Sequence, residues 1–170
     1  GTNAGPRIGP VVINEIHYHP AAGGDEFLEL KNVTDAVVPL YDAAHPENHW
    51  RVAGIDYTFP AGVELAPQGL LLAVSIDPAT FRSRYGVPAE VPVVGPYPGS
   101  LRNSGERLAL QHPGSPNLDP ADNSWVVPYI DVDVVRYRRT APWPTNADGC
   151  GPSLERLHPS AYGNDPIHWR

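Results

Sequence analysis

VVINEIHY at residues 11–18 and DEFLEL at residues 25–30 are the segments that indicate the fold class most directly. Both are rich in β-branched or large apolar side chains, which are common in strands. Pro20 and the pair Gly23-Gly24 lie between them, as turn residues lie between two strands. Alternate residues of the second segment face opposite sides of a strand. The two segments therefore predict two successive strands.

Similar apolar runs continue along the chain, with turn residues about every 8–12 positions. Asp77 followed by Pro78 predicts one short helix near residues 77–86, because Asp is a good cap and Pro fits the first helical turn. No alternation of strands and helices is visible, so a parallel sheet is not expected. The pattern predicts an all-β, antiparallel β-sandwich of about nine strands. The further runs lie at residues 37–40, 50–52, 55–59, 63–65, 70–74, 91–94, 107–111 and 125–137.

Composition supports a single turn-rich domain. The chain has 170 residues, 41% of them hydrophobic and 18% charged, with 16 Gly and 21 Pro. Prolines at this density exclude a helical bundle or a coiled coil, and the apolar share excludes a disordered polymer. The net charge of −7 has the wrong sign for a protein that binds duplex DNA. Cys150 is the only cysteine, so an intramolecular disulfide is excluded.

The predicted organisation has three parts. Residues 1–10 are expected to be a linker or a remnant of cloning, residues 11–140 the sandwich, and residues 141–170 a Pro-rich C-terminal extension. This extension would pack on the sandwich or lead to a next domain. The longest apolar run, residues 70–74, is far shorter than the ~20 residues that span a bilayer. The N-terminus has no signal-peptide pattern, and we expect the sequence to be part of a longer chain.

Glu15, His17 and His19 form the first candidate metal site. They alternate along the first predicted strand and so project from one face. Imidazoles and a carboxylate can bind zinc or a similar ion, with Asp25 or Glu26 as a fourth ligand. However, a strand spaces residues i and i+4 about 13 Å apart, so one ion requires a bend. The alternative is a solvated strand face.

Asp119, Asp122, Asp131 and Asp133 form the second candidate set, with oxygen ligands that suit calcium. The first two lie in an acidic loop at residues 113–124, and the other two lie in the next predicted strand. Their spacing does not match an EF-hand, and Asp-Pro and Asp-Asn-Ser are common turn sequences. A solvated loop is the alternative. No cofactor is expected, with calcium kept as the one candidate.

The sequence lacks the motifs of common catalytic sites. Its serines lack the Gly-x-Ser-x-Gly pattern, and Cys150 has only acidic titratable neighbours in sequence, which raise rather than lower the pKa of a thiol. No glycine-rich phosphate motif is present. We therefore expect no enzymatic activity.

Three further features have a structural and a functional interpretation. Arg136 and Arg138 share a strand face next to Arg139, which fits a small-anion or nucleic-acid patch or, more simply, a charged edge strand. Residues 32–34 (NVT) match a glycosylation acceptor, although a hairpin turn is the simpler interpretation. Tryptophans 50, 125, 143 and 169 are candidates for a sugar-binding face but are expected mostly in the core.

Several segments, taken in order, resemble the lamin tail domain in its bacterial branch. The likeness covers roughly residues 11–140, and the ending (APWP, ADG and SLERL at residues 141–144, 147–149 and 153–157) is similar to the segment C-terminal to this domain in large secreted bacterial proteins. The segments are VINEI (12–16), DEFLELKN (25–32), YTFPAG (57–62), LAPQGLL (65–71), LRNSGERLAL (101–110) and IDVDVVRY (130–137).

The resemblance implies an immunoglobulin-like β-sandwich without catalytic residues. It implies a structural or protein-interaction module of a larger exported bacterial protein, located outside the cell or in the cell envelope. The expected partners are another protein or neighbouring domains of the same chain; nucleic acid and membrane insertion are not expected, and the isolated domain is expected to be a monomer. The alternatives are an accessory domain of an extracellular enzyme, or a calcium- or glycan-binding module using the loops at residues 42–49 and 113–124, which depart from the family pattern.

Overall fold

The computed structural model describes residues 8–170, so most of the expected N-terminal linker lies outside the described residues. Strands dominate this described part, and its single α-helix, α1, spans Pro78–Tyr85. A 3₁₀ turn covers Pro166–His168. The strands are β1 (Val11–His17), β2 (Phe27–Asn32), β3 (Val38–Pro39), β4 (Arg51–Ala53), β5 (Tyr57–Thr58), β6 (Glu64–Leu65), β7 (Leu70–Val74), β8 (Val93–Val94), β9 (Gly105–Pro113), β10 (Asn117–Leu118), β11 (Trp125–Val126), β12 (Tyr129–Arg138) and β13 (Leu154–Glu155).

Two main sheets form the sandwich, and the all-β prediction is confirmed. One sheet has the order β13-β1-β2-β7-β8, and the other has the order β12-β9-β4-β5. Two small sheets, β3-β6 and β10-β11, lie outside this frame. The strands outnumber the expected nine for three reasons: Pro128 separates β11 from β12, part of the predicted acidic loop forms β10, and β13 lies in the predicted C-terminal extension.

One strand pair differs from the predicted antiparallel arrangement. β7 and β8 pair in parallel, with Leu72 opposite Val93, because α1 carries the chain back between them. The helix itself is confirmed: the Asp77 side chain accepts the Thr80 backbone N–H at 2.8 Å. Gly86 ends it in the left-handed conformation with φ of 62°, which a glycine adopts without strain. Phe81 fixes the helix on the outer face of β7, against Leu72 and Val74.

The core lies between the two main sheets as one buried cluster. The rings of Tyr18 and Tyr137 meet across it with centroids 4.8 Å apart. Three of the four tryptophans are buried as expected, and Trp125 is the exception. The sheets contribute mainly aliphatic side chains from alternating positions, among them Ile13, Leu28, Leu30, Leu71, Val52, Leu108, Leu110 and Val135.

Residues 141–170 contribute to this core. Trp143, Leu154 and Trp169 are buried in the same cluster as the strands of both sheets. β13 adds to the edge of β1, with Leu154 opposite Ile16. The buried guanidinium of Arg156 donates to Asp133 of β12 at 2.7 Å. The C-terminal segment therefore closes one side of the sandwich. Within residues 8–170, no helix is long and apolar enough to cross a membrane.

Candidate functional site

The first candidate metal residues each contact the C-terminal segment. The Glu15 carboxylate accepts the Ser153 hydroxyl, and His17 Nε2 lies 3.1 Å from the Gly151 carbonyl oxygen. His19 Nδ1 lies 2.7 Å from an Asp148 carboxylate oxygen. Burial raises the pKa of Glu15 above its ordinary value and lowers that of His17. The alternation that suggested a metal site thus serves to dock residues 148–153.

Asp25 and Glu26, the two candidates for a fourth ligand, also bind other groups of the protein. Asp25 forms an ion pair with Arg84 at 2.5 Å and accepts the Tyr85 hydroxyl at 3.0 Å. The Glu26 carboxylate accepts the Leu101 backbone N–H at 2.9 Å. Across residues 8–170, no group of three or more His, Cys, Asp or Glu side chains is placed to hold a metal ion.

The second candidate set is dispersed. Asp119 and Asp122 accept backbone N–H groups of Ala121 and Ser124, each at 2.9 Å, within their own turn. A β-bulge between Asp131 and Asp133 shifts the register of β12 at that point. The two carboxylates consequently have different partners.

Asp131 pairs with Arg107 at 2.5 Å on the surface, whereas Asp133 is buried. Asp133 accepts the Ile13 backbone N–H at 2.9 Å and the Arg156 guanidinium at 2.7 Å. The structure therefore does not bring the four aspartates together around one ion, because β12 sends Asp133 into the interior and the loop aspartates cap their own turn.

Several residues in the segments that carry the family resemblance have structural roles. The buried Asn32 amide donates to the carbonyls of Ala36 and Ala66 at 2.7 and 2.9 Å, and its oxygen accepts Thr34 N–H at 2.9 Å. Asn32 thus forms the predicted turn, with its amide enclosed rather than presented for glycosylation. Tyr137 donates its hydroxyl to Glu106 at 3.0 Å, and burial raises the pKa of this phenol.

An open groove of about 490 Å³ lies where the two divergent loops meet. Its lining includes Trp50 and His112, whose ring centroids are 5.8 Å apart. Asp42 of the first loop, its neighbour Tyr41, and Ile130 at the start of β12 also line the groove. The Tyr41 hydroxyl donates to Glu64 at 2.7 Å, and this bond raises the pKa of the phenol.

A hairpin follows this groove in the chain. β10 and β11 pair only with each other among the described strands, with Leu118 opposite Trp125 and Asn117 opposite Val126. Trp125 is 70% exposed, and Leu118 is 46% exposed. The sequence prediction of a solvated acidic loop missed this hairpin. Asp119 and Asp122 lie in the turn of the hairpin, whereas its apolar residues lie in the two strands.

Cys150 is exposed, and its thiol sulfur contacts the Asp148 carbonyl oxygen at 3.6 Å. Tyr18 has a buried hydroxyl for which no hydrogen-bond partner is found in the described part of the chain, and burial raises its pKa to about 12.

No family model matches the chain, and comparisons with curated proteins and with solved structures find no significant match.

Proposed function

We propose that this chain is a non-catalytic protein-interaction module of the lamin-tail type, with an immunoglobulin-like sandwich, from a larger exported bacterial protein. Its binding surface comprises the β10–β11 hairpin and the adjoining groove. The observation that carries the proposal is the exposed Leu118–Trp125 pair on that hairpin. An apolar cross-strand pair in water gains little for folding, whereas Trp is enriched at the centres of protein interfaces.

Backbone geometry supports an extended segment as the partner. Within the described chain, the β10–β11 sheet has two strands, so each strand leaves one edge unpaired. A partner segment can add a strand to such an edge through main-chain hydrogen bonds. The groove of about 490 Å³ lies in the size range of ligand sites and accommodates a few apolar side chains of that segment. The partner segment comes from a neighbouring domain or from another protein.

A glycan is the second candidate ligand. The 70% exposed indole of Trp125 offers a flat stacking surface, and Asp42 and Ser115 add hydrogen-bonding groups to the groove. Trp50 favours the protein ligand instead, because it is only 7% exposed and packs against the His112 ring. Its indole face is therefore engaged by the protein itself.

Selection from a displayed library of unstructured peptides tests the proposal, followed by affinity measurement of the enriched peptides. Trp125→Ser should weaken their binding by more than tenfold, since removal of a central Trp costs about 2 kcal/mol or more. Ile167→Ser is the matched control, because Ile167 is 72% exposed and lies in the C-terminal 3₁₀ turn.

Enriched apolar peptides that bind the wild type and Ile167→Ser equally, but not Trp125→Ser, would support the proposal. A glycan array screened in parallel distinguishes the second candidate. Failure to enrich any peptide, or equal loss in both variants, would contradict the protein-interaction function.

A further inference from the structure

A second cleft lies at the opposite end of the β9–β12 strand pair from the groove. It encloses about 230 Å³ beside the first residues of β9 and the last residues of β12. We call it the arginine cleft, because three of its seven lining residues are arginines: Ser104, Gly105, Glu106, Arg107, Arg136, Tyr137 and Arg138.

Strand register brings these arginines together. Arg136 lies directly opposite Arg107, and Arg138 lies opposite Gly105. Val135 and Tyr137 are buried, so the alternating Arg136 and Arg138 face outward from the sandwich. Arg107 shares that face, because residues directly opposite in an antiparallel pair project to the same side.

Gly105 permits a close approach between the backbones of β9 and β12 at this end of the strand pair. Its φ is 106°, a value that side-chain-bearing residues rarely adopt. A Cβ at this position would lie 2.4 Å from the Tyr137 carbonyl oxygen. A residue without a side chain opposite Arg138 thus allows β9 and the end of β12 to approach closely at the edge of the cleft.

The local charge is the reverse of the overall charge. The chain has a net charge of −7, yet Arg107 and Arg136 are directly opposed, which costs folding free energy. Asp131 neutralises only Arg107, at 2.5 Å. Across residues 8–170, no carboxylate lies within 4.0 Å of the Arg136 or Arg138 guanidinium.

Glu106 does not neutralise this outer face. Its carboxylate accepts the buried Tyr137 hydroxyl at 3.0 Å and the Arg102 backbone N–H at 2.8 Å. Glu106 contributes to the cleft lining, but alternation along β9 directs its side chain to the opposite side of the strand from Arg107, the side on which the buried Tyr137 lies. Three guanidinium groups and the Asp131 carboxylate leave two positive charges on the outer side.

We propose that the arginine cleft binds a tetrahedral oxyanion, namely a phosphate or sulfate group that is either free or carried as an ester. Guanidinium groups bind such oxygens through paired N–H donors, and a doubly charged anion matches the two uncompensated positive charges. The anion would also relieve the repulsion between Arg107 and Arg136. This site is independent of the hairpin and of the proposed protein-interaction function.

Titration of the ¹⁵N-labelled chain tests the proposal by NMR, with inorganic phosphate, phosphoserine and inorganic sulfate as probes at constant ionic strength. Saturable shifts are expected at the Arg107, Arg136 and Arg138 Nε–H groups and at the Gly105 amide. Arg138→Ala and Arg136→Ala should each weaken binding by about tenfold. Arg139→Ala is the matched control, since it removes the same charge from an exposed neighbour outside the cleft lining.

The pH dependence separates the two oxyanions. Phosphoserine loses its second charge below a pKa of about 6, whereas the arginines stay protonated, so lowering the pH to about 5 should weaken phosphoserine but not sulfate. Tighter binding of inorganic phosphate than of phosphoserine would indicate the free ion, and the reverse would indicate an ester.

Three results would overturn the proposal. One is the absence of saturable shifts with every probe. The second is equal weakening by Arg139→Ala and Arg138→Ala, which would indicate non-specific charge attraction. The third is binding of a single-stranded oligonucleotide without measurable binding of the small anions, which would reassign the cleft to nucleic acid.

Discussion

Replacing Arg156 by Met tests how the C-terminal segment is attached to the sandwich. The Arg156 and Asp133 side chains are 0% and 6% exposed, and their charged atoms are 2.7 Å apart. In Arg156→Met, the Asp133 carboxylate stays buried with only the Ile13 N–H as a partner. Arg156 also donates to the Ile13 carbonyl at 3.0 Å, so the substitution removes that bond too.

The expected loss follows from this burial. Removal of one partner of a buried ion pair costs about 3–5 kcal/mol of unfolding free energy, because it leaves an uncompensated charge. For a chain of this size, that corresponds to a fall in melting temperature of roughly 10 °C. Equilibrium urea denaturation followed by circular dichroism measures the free energy directly.

Two further variants make the result interpretable. Arg170→Met breaks the neighbouring ion pair with Glu155, whose side chains are 67% and 46% exposed, and should cost less than about 1 kcal/mol. The double variant Arg156→Met with Asp133→Leu removes both charges and should recover much of the lost stability. A loss in Arg156→Met no larger than in Arg170→Met, or a double variant no more stable than Arg156→Met alone, would refute the reasoning.

Three other perturbations give distinct outcomes. Burial raises the native-state pKa of Glu15 and of Glu29 above 4.5, so the native state binds protons more tightly than the unfolded state. The free energy of unfolding should therefore rise as the pH falls through the native pKa values towards 4.5. Glu15→Gln should flatten this profile of unfolding free energy against pH. A profile unchanged by Glu15→Gln would contradict this account. Asp77→Ala should lower the midpoint of urea denaturation by removing the cap of α1, whereas Asp77→Ser should keep the midpoint close to that of the wild type. Tyr137→Phe should cost about 1–2 kcal/mol in the same assay, because it removes the one hydroxyl donor shared by the Glu106 carboxylate at 3.0 Å and the Arg102 carbonyl at 2.9 Å; an unchanged midpoint would show that the hydroxyl contributes nothing.

Local signals account for what the sequence predicted well. Asp77, Pro78 and Gly86 specify the helix within ten consecutive residues, and the structure caps α1 at those positions. The Pro128 break and the apolar runs likewise correspond to strand limits. Each of these features depends on neighbours in sequence, where backbone preferences act.

Long-range pairing accounts for what the sequence missed. Glu15 and His17 lie on one face of β1, and this face contacts Ser153 and Gly151. Those partners lie 138 and 134 residues away in sequence. Alternation shows that side chains share a face, but it does not show what covers that face. The metal hypothesis therefore rests on a correctly recognised strand face, but the sequence does not show that the C-terminal segment covers this face.

The same limit applies to the arginine cleft. The sequence shows Arg136 and Arg138 as neighbours on one strand, whereas Arg107 joins them only through the β9–β12 register. Trp125 begins a long strand in the sequence prediction, whereas in the structure it pairs with Leu118 across an acidic turn and is exposed. The apolar residues on either side of the turn, Leu118 and Trp125, are the local signal that favours a hairpin over a loop.

The most direct test of the proposed function is an NMR map of a selected peptide bound to the ¹⁵N-labelled chain. The account predicts saturable shifts at the Trp125 indole N–H and at the Leu118 and Asn117 amides, with further shifts at groove residues such as His112. Shifts confined to other parts of the surface, or none at the Trp125 indole, would contradict it.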